Sequence, residues 1–227
     1  MKIIVRFTFI SVALFILSCS DEGVFKLEQT NRKVNSSSKP SPSNITGPVT
    51  IGTQVWTTTN LNVSHYQNGG VIPEINDPEV WKNLTTGAYC KSQCDNSTKL
   101  YNWYAVTDPR GLAPQGWHIP TIYEVSTLAN YLGGIMQAGN KLKGQSPRWY
   151  PVNPNITNSS GFCGLPQGGR LAEANGWYSC SSFGIWWTSS EFESEARTFF
   201  LQSYTTYLHN NVAKDRREGF TIRLIKD

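Results

Sequence analysis

Charge is scarce in this chain: Asp, Glu, Lys and Arg make up 16% of its 227 residues, against roughly a quarter in an ordinary globular domain. The net charge is only +4, and two of the cations, Lys2 and Arg6, stand at the very N-terminus, so no basic groove for DNA or RNA is expected. Histidine is reduced to His65, His118 and His209, without H-x-H or H-x-x-x-H spacing, which speaks against a metal-hydrolase centre. A G-x-S-x-G elbow, a P-loop and an EF-hand-like acidic loop are all missing. No catalytic nucleophile, cofactor or metal site is therefore predicted, and the chain is not expected to be an enzyme. Alanine is sparse beside 19 Gly and 12 Pro, a balance that excludes a helical bundle. Apolar runs of membrane-spanning length are absent too.

What is present begins with an address. Phe7 to Leu17 is an apolar run behind a positive start, of signal-peptide length and too short to cross a bilayer comfortably. Ile16-Leu17-Ser18-Cys19 resembles the lipobox of bacterial lipoproteins, which implies removal of residues 1–18 and acylation of Cys19; two or more acyl chains make a stable membrane anchor. Ser20-Asp21-Glu22 resembles the acidic signal that sends lipoproteins of Bacteroidetes-type bacteria to the outer face of the outer membrane. Residues 19–48 are polar, ending in Asn35-Ser-Ser-Ser-Lys-Pro-Ser-Pro-Ser-Asn44, and read as a flexible tether that cannot bury a core.

A single domain is expected over 49–227. Val49 to Trp56 reads as a hairpin around Gly52-Thr53. Leu100 to Val106 is compatible with a short helix or a strand. Thr121 and Glu124 form a T-x-x-E capping box that opens a helix over Thr121–Leu132, with Val125, Leu128, Ala129 and Leu132 on the face that should pack against a sheet. Gly184–Thr188, Thr198–Tyr204 and Phe220–Ile225 are strand-like. Roughly fifty residues rich in Gly, Pro, Asn and Ser precede Gly184, longer than an ordinary connection and expected to be a functional loop region with minor structure of its own.

Read together, a set of ordered motifs resembles the Fibrobacter succinogenes major paralogous domain of exported bacterial proteins. They are Ile51-Gly-Thr-Gln-Val-Trp56 with Asn60-Leu-Asn62, Leu100-Tyr-Asn-Trp-Tyr-Ala-Val106, Gly116-Trp-His-Ile-Pro-Thr121 and Ala138-Gly-Asn-Lys-Leu-Lys143. Thr157-Asn-Ser-Ser-Gly-Phe162, Leu165-Pro166 to Arg170, Gly184-Ile-Trp-Trp-Thr-Ser-Ser-Glu191 and Gly219-Phe-Thr-Ile-Arg-Leu-Ile-Lys-Asp227 complete the set. That family is similar to the C-type-lectin-like fold. The resemblance implies an α+β domain with a small twisted antiparallel sheet, paired N- and C-terminal strands, two flanking helices and a long ligand-carrying loop region. Gly116-Trp-x-x-Pro-Thr121 and the closing Gly219-Phe-x-x-Arg223 also resemble formylglycine-generating enzymes. Those hold copper through a cysteine pair near the end of the domain, and no cysteine follows Cys180. Lectin-type calcium triplets are missing as well.

Beyond Cys19 lie Cys90, Cys94, Cys163 and Cys180. An even set in an exported domain is expected to be oxidised. Of the three connectivities, Cys90–Cys94 with Cys163–Cys180 is preferred because each pair is near in sequence, the second worth about 3 kcal/mol by loop closure. A four-thiolate zinc site is the rival, weakened by the wide spacing of the second pair.

The remaining candidates are aromatic. Trp149-Tyr150 and Trp177-Tyr178 both stand in the loop region, where flat rings beside Asn and Arg donors suit sugar or peptide recognition. Tyr150, Trp177 and Tyr178 are the expected ligand contacts, with Trp149 as a weaker fourth; Trp56, Trp103, Trp117, Trp186 and Trp187 are assigned to packing. The expected protein is thus a lipid-anchored surface protein of the bacterial outer membrane that binds an extracellular ligand, a glycan foremost, without catalysis. The alternative is a structural or adhesion-complex component that binds a protein partner.

Overall fold

The computed structural model describes residues 47–173 and 175–227. The signal segment, Cys19 and nearly all of the tether lie outside the described residues. In chain order the elements are β1 (Val49–Ile51), β2 (Gln54–Trp56), α1 (Pro78–Trp81), β3 (Tyr89–Ser92), β4 (Asp95–Tyr101), α2 (Trp103–Val106), β5 (Trp117–His118) and α3 (Ile122–Tyr131). There follow α4 (Ile135–Leu142), β6 (Gly169–Arg170), β7 (Trp177–Tyr178), β8 (Phe183–Phe192), β9 (Glu195–Gln202), β10 (Leu208–Lys214) and β11 (Ile225–Lys226). The result is a mixed fold of short helices and several antiparallel sheets.

The two ends of the domain meet in one sheet of order β1-β2-β11-β5, with Ile225 opposite both Trp56 and His118. The expected hairpin is present, Val49 facing Trp56 across a turn at Gly52. A second sheet, β10-β9-β8, lies between two cores. Successive strand residues point to opposite faces, so Trp186, Phe199, Leu201 and Leu208 pack with Val125, Leu128 and Ala129 of α3 and with Ala138 and Leu142 of α4. Ile185 and Trp187 turn the other way, into a cluster with Tyr101, Trp103, Phe220 and Ile222. Rings dominate both sides. Trp186 stacks on Phe199 at 5.4 Å and meets Phe162 edge-on at 5.7 Å, and each such pair adds about 1 kcal/mol beyond its buried area.

Local signals account for the helices. Glu124 N donates to Thr121 Oγ1 at 3.3 Å and Thr121 N to Glu124 Oε2 at 2.7 Å, closing the predicted capping box at the start of α3. The segment Leu100–Val106 is both things at once: β4 runs to Tyr101, and Asn102 then caps α2, its Oδ1 accepting from Ala105 N and from Ala88 N, both at 3.0 Å. Phe220–Ile225 departs from the expected strand. It threads between neighbours and makes single bridges, Phe220 with Tyr101 and Thr221 with Trp186, before pairing regularly only at Ile225.

The preferred cysteine pairing is corrected. Cys94 and Cys180 are joined, with Cα atoms 5.3 Å apart across a separation of 86 residues, while Cys90 is a buried free thiol. Cys90 sits within β3 and turns into the small core of Trp81, Ala88 and Leu100, whereas Cys94 lies in the turn beyond the strand. Closeness in sequence therefore aims the two sulfurs apart. The observed bridge ties the β3–β4 hairpin to the second residue after β7 and closes a loop worth about 4.6 kcal/mol in the chain-entropy account. Among the described residues, no helix is long and apolar enough to cross a membrane.

Candidate functional site

The second sheet and the segment that follows it enclose a polar cleft of about 520 Å³. Tyr104 of α2 forms one wall, and Ser194 with Glu195, where β8 turns into β9, forms another. Ala213 and Lys214 close β10, and Asp215 to Glu218 complete the lining. That last stretch is a tight turn: Glu218 N donates to Asp215 O at 3.0 Å, and Arg217 N to Asp215 Oδ1 at 2.9 Å. An Asx-type turn of this kind holds four charged side chains in a fixed fan.

Every cation of the cleft has a carboxylate beside it. Arg217 forks onto Asp215, with the closer contact at 2.5 Å, and also reaches Lys82 O at 3.1 Å. Arg216 meets Glu191 at 2.7 Å and lies 4.8 Å over the ring of Trp103. Lys214 stands 3.8 Å from Glu218 and 4.5 Å over the ring of Tyr178, whose hydroxyl it also contacts. Glu195 is held by Arg197 at 3.6 Å. Hydrogen bonding to Arg217 keeps the Asp215 carboxyl below its usual range. Burial pushes Glu218 up, against the pull of Lys214. Tyr178 OH donates to Glu218 Oε2 at 3.2 Å, and burial together with that neighbour raises the phenol's pKa. The cleft thus offers fixed donors and acceptors with little unbalanced charge.

The four rings expected from the sequence do not form one face. Trp177 and Tyr178 are adjacent in β7, opposite Arg170 and Gly169 of β6, so their side chains leave on opposite sides. Tyr178 goes to the side of Lys214 and Glu218, behind the residues that line the cleft, with its ring 6.0 Å from Phe183 and 5.6 Å from Phe220. Trp177 goes to the far side, where the Arg170 guanidinium lies 5.5 Å from its ring and 4.6 Å from that of Trp81. Tyr150 is 69% exposed and anchored by its backbone N–H to Ser181 O at 2.8 Å, on a loop of its own. Trp149 corrects the expectation of a ligand contact: it is 1% exposed and packed in the helix-side core, with no ring face left for a ligand. Trp56, Trp103, Trp186 and Trp187 are buried as assigned, and Trp117 is half-buried.

Lys214, Arg216 and Glu218 were not singled out by sequence, although a signal for them exists. Lys214-Asp-Arg-Arg-Glu218 is a run of five charged residues in a chain otherwise poor in charge. A second missed feature is a row of half-exposed rings leading from Tyr178: Phe183 lies 6.1 Å from Phe200, and Phe200 stacks on His209 at 4.3 Å. His118, read as a packed or surface residue, bridges two carboxylates, Asp227 at 2.6 Å and Glu124 at 2.8 Å. Among the described residues no group of three or more His, Cys, Asp or Glu is placed to hold a metal ion.

Fold and cleft together define a mixed α+β domain with a polar cleft at a sheet edge. The model of the Fibrobacter succinogenes major domain matches residues 49–226, and the chain belongs to that family. No curated protein and no solved structure matches it.

Proposed function

We propose that this chain is a C-type-lectin-like binding protein that takes a neutral glycan, without catalysis, in the cleft bounded by Tyr104, Lys214 and Glu218. In the same reading it is held by acylated Cys19 on the outer face of a bacterial outer membrane. The observation that carries the proposal is the charge pairing. Lys214, Arg216, Arg217 and Glu195 are each matched within the protein, so a strongly anionic or cationic ligand would gain little, whereas sugar hydroxyls can both donate to and accept from such fixed pairs. The Tyr104 ring in the lining supplies apolar surface for a sugar face. Asp215 is committed to Arg217 and no nucleophile–base pair lines the cleft, which supports binding over chemistry.

The test is a glycan array probed with the full chain beside a Tyr104→Ala/Lys214→Ala variant whose fold is checked by circular dichroism. Binding to neutral glycans that the folded variant loses is the expected result. A blank array with well-folded protein would sink the reading and turn attention to a protein partner. One observation favours that second reading: Tyr123, Tyr131, Ile135 and Met136 of α3 and α4 are exposed large apolar side chains, the residue type that interaction surfaces present.

A further inference from the structure

Lys143 is fully buried, and among the described residues no carboxylate pairs with it. Its ammonium donates to Asn140 Oδ1 at 3.1 Å and to Thr205 O at 2.5 Å, which leaves a third N–H, and it lies 5.7 Å from the ring centre of Trp149. Two other buried cations show how different this is. Arg223 spends its donors on Asn60 Oδ1 and on three backbone carbonyls, and Arg170 lies between two indoles while donating to Ile75 O and Asn76 O. A delocalised guanidinium tolerates that solution; a compact ammonium holds its charge at one point and needs a counter-charge.

The surroundings of Lys143 are also short of partners. Of the buried polar side-chain atoms left without a hydrogen bond among the described residues, four belong to Trp149, Ser203, Thr205 and His209. All four residues are tied to Lys143. Thr205 gives it a carbonyl and Trp149 a ring face. Asn153 links Asn140 Oδ1 at 3.2 Å to Ser203 O at 3.3 Å. His209 has its pKa lowered by burial and then by the Lys143 charge. Trp149 Nε1 can only donate, and the two hydroxyls, free to donate or accept, can turn their O–H groups to one point, so the cluster can present several donors beside the ammonium. Burial lowers the Lys143 pKa to about 8, which still leaves the amine mostly charged at neutral pH.

We propose that the cluster beneath the Ser203–Tyr207 turn binds one small monovalent anion of halide size, which balances the Lys143 ammonium and accepts from its third N–H and from the Ser203 and Thr205 hydroxyls. The exposed Tyr204, Thr206 and Tyr207 of the same turn give a route inward when it opens. The site is independent of the cleft and of the glycan reading.

The test uses the full chain in two arms. Crystals grown in sodium bromide are expected to show an anomalous peak in contact with Lys143 Nζ. Thermal unfolding is expected to shift upward with bromide in the increments that mass action sets, relative to a bulky organic anion at equal ionic strength, and Lys143→Met is expected to lose that dependence. If Lys143→Met does not fold, Ser203→Ala/Thr205→Val serves instead, with a weakened bromide response expected. Density for ordered water alone at Nζ, or a bromide response unchanged in the variants, would overturn the proposal.

Discussion

Arg223 and Asn60 are 163 residues apart in the chain and joined at 2.7 Å, the guanidinium Nε donating to the amide Oδ1, which also accepts from Trp186 Nε1 at 2.9 Å. The same guanidinium reaches Thr57 O at 2.7 Å, Phe162 O at 3.0 Å and Cys163 O at 2.9 Å. One buried side chain at the end of the domain thus satisfies carbonyls from its start and from its loop region. Arg223→Lys keeps the charge and loses the fork, so it is expected to cost about 3 kcal/mol because buried carbonyls lose their donors. Urea unfolding of the two proteins measures it.

Gly139 lies in α4, where its N–H leaves the helix to donate to Thr206 O at 2.8 Å. A Cβ there would overlap the carbonyl oxygens of Thr206 and Tyr207. Gly139→Ala, a change that favours a helix in isolation, is expected instead to destabilise the domain by about 3 kcal/mol by overpacking backbone that cannot yield. A drop in thermal midpoint checks the sign, and a rise would refute the close approach.

The bridge between Cys94 and Cys180 is expected to be worth about 4.6 kcal/mol, read as the lower urea midpoint of Cys94→Ser/Cys180→Ser. Cys90 should behave differently. Its thiol is buried, and burial pushes its pKa up to about 11, so an aromatic disulfide reagent should label it only as fast as the protein opens. Prompt labelling of Cys90 in native protein would contradict the pairing.

His118 gives the domain a signature in pH. Burial lowers the pKa of the ring, but hydrogen bonds to Glu124 and Asp227 outweigh it, and the net position lies above the ordinary 6.5. A group raised on folding adds stability that is complete below its unfolded pKa and is lost as the pH climbs through the folded value. Stability is therefore expected to fall from about pH 6 towards pH 8, and His118→Gln should flatten that limb. Glu124 moves oppositely: burial raises it, Thr121 N–H and His118 more than offset this, and its contribution disappears on acidification. Urea midpoints across the pH range, with and without the substitution, separate the two limbs.

Where a signal was local, sequence and structure agree. The Thr121–Glu124 box and the Gly52 turn each act within four residues, and both stand where periodicity and turn chemistry put them. β10 escaped notice because Leu208-His-Asn-Asn-Val-Ala-Lys214 has few strand-forming residues, and its pairing with β9, broken by an irregularity between His209 and Val212, supplies what propensity does not. The four rings were legible as residues but not as a placement. Tyr178 packs behind the cleft, bonded to Glu218, while its neighbour Trp177 leaves by the other face, since strand geometry separates adjacent side chains whatever their chemistry.

The amino-acid sequence by itself determined the family motifs, the capped helix, the opening hairpin and the aromatic residues available to fill two cores. Tertiary structure alone decided which cysteines meet, which of four loop rings lies beside the charged turn, and which lysine is buried with no carboxylate partner among the described residues. The difference is one of range. Caps, turns and hydrophobic periods are settled by neighbours in the chain, whereas a disulfide, a cleft and a buried charge depend on segments far apart in sequence, brought together by the burial of apolar surface.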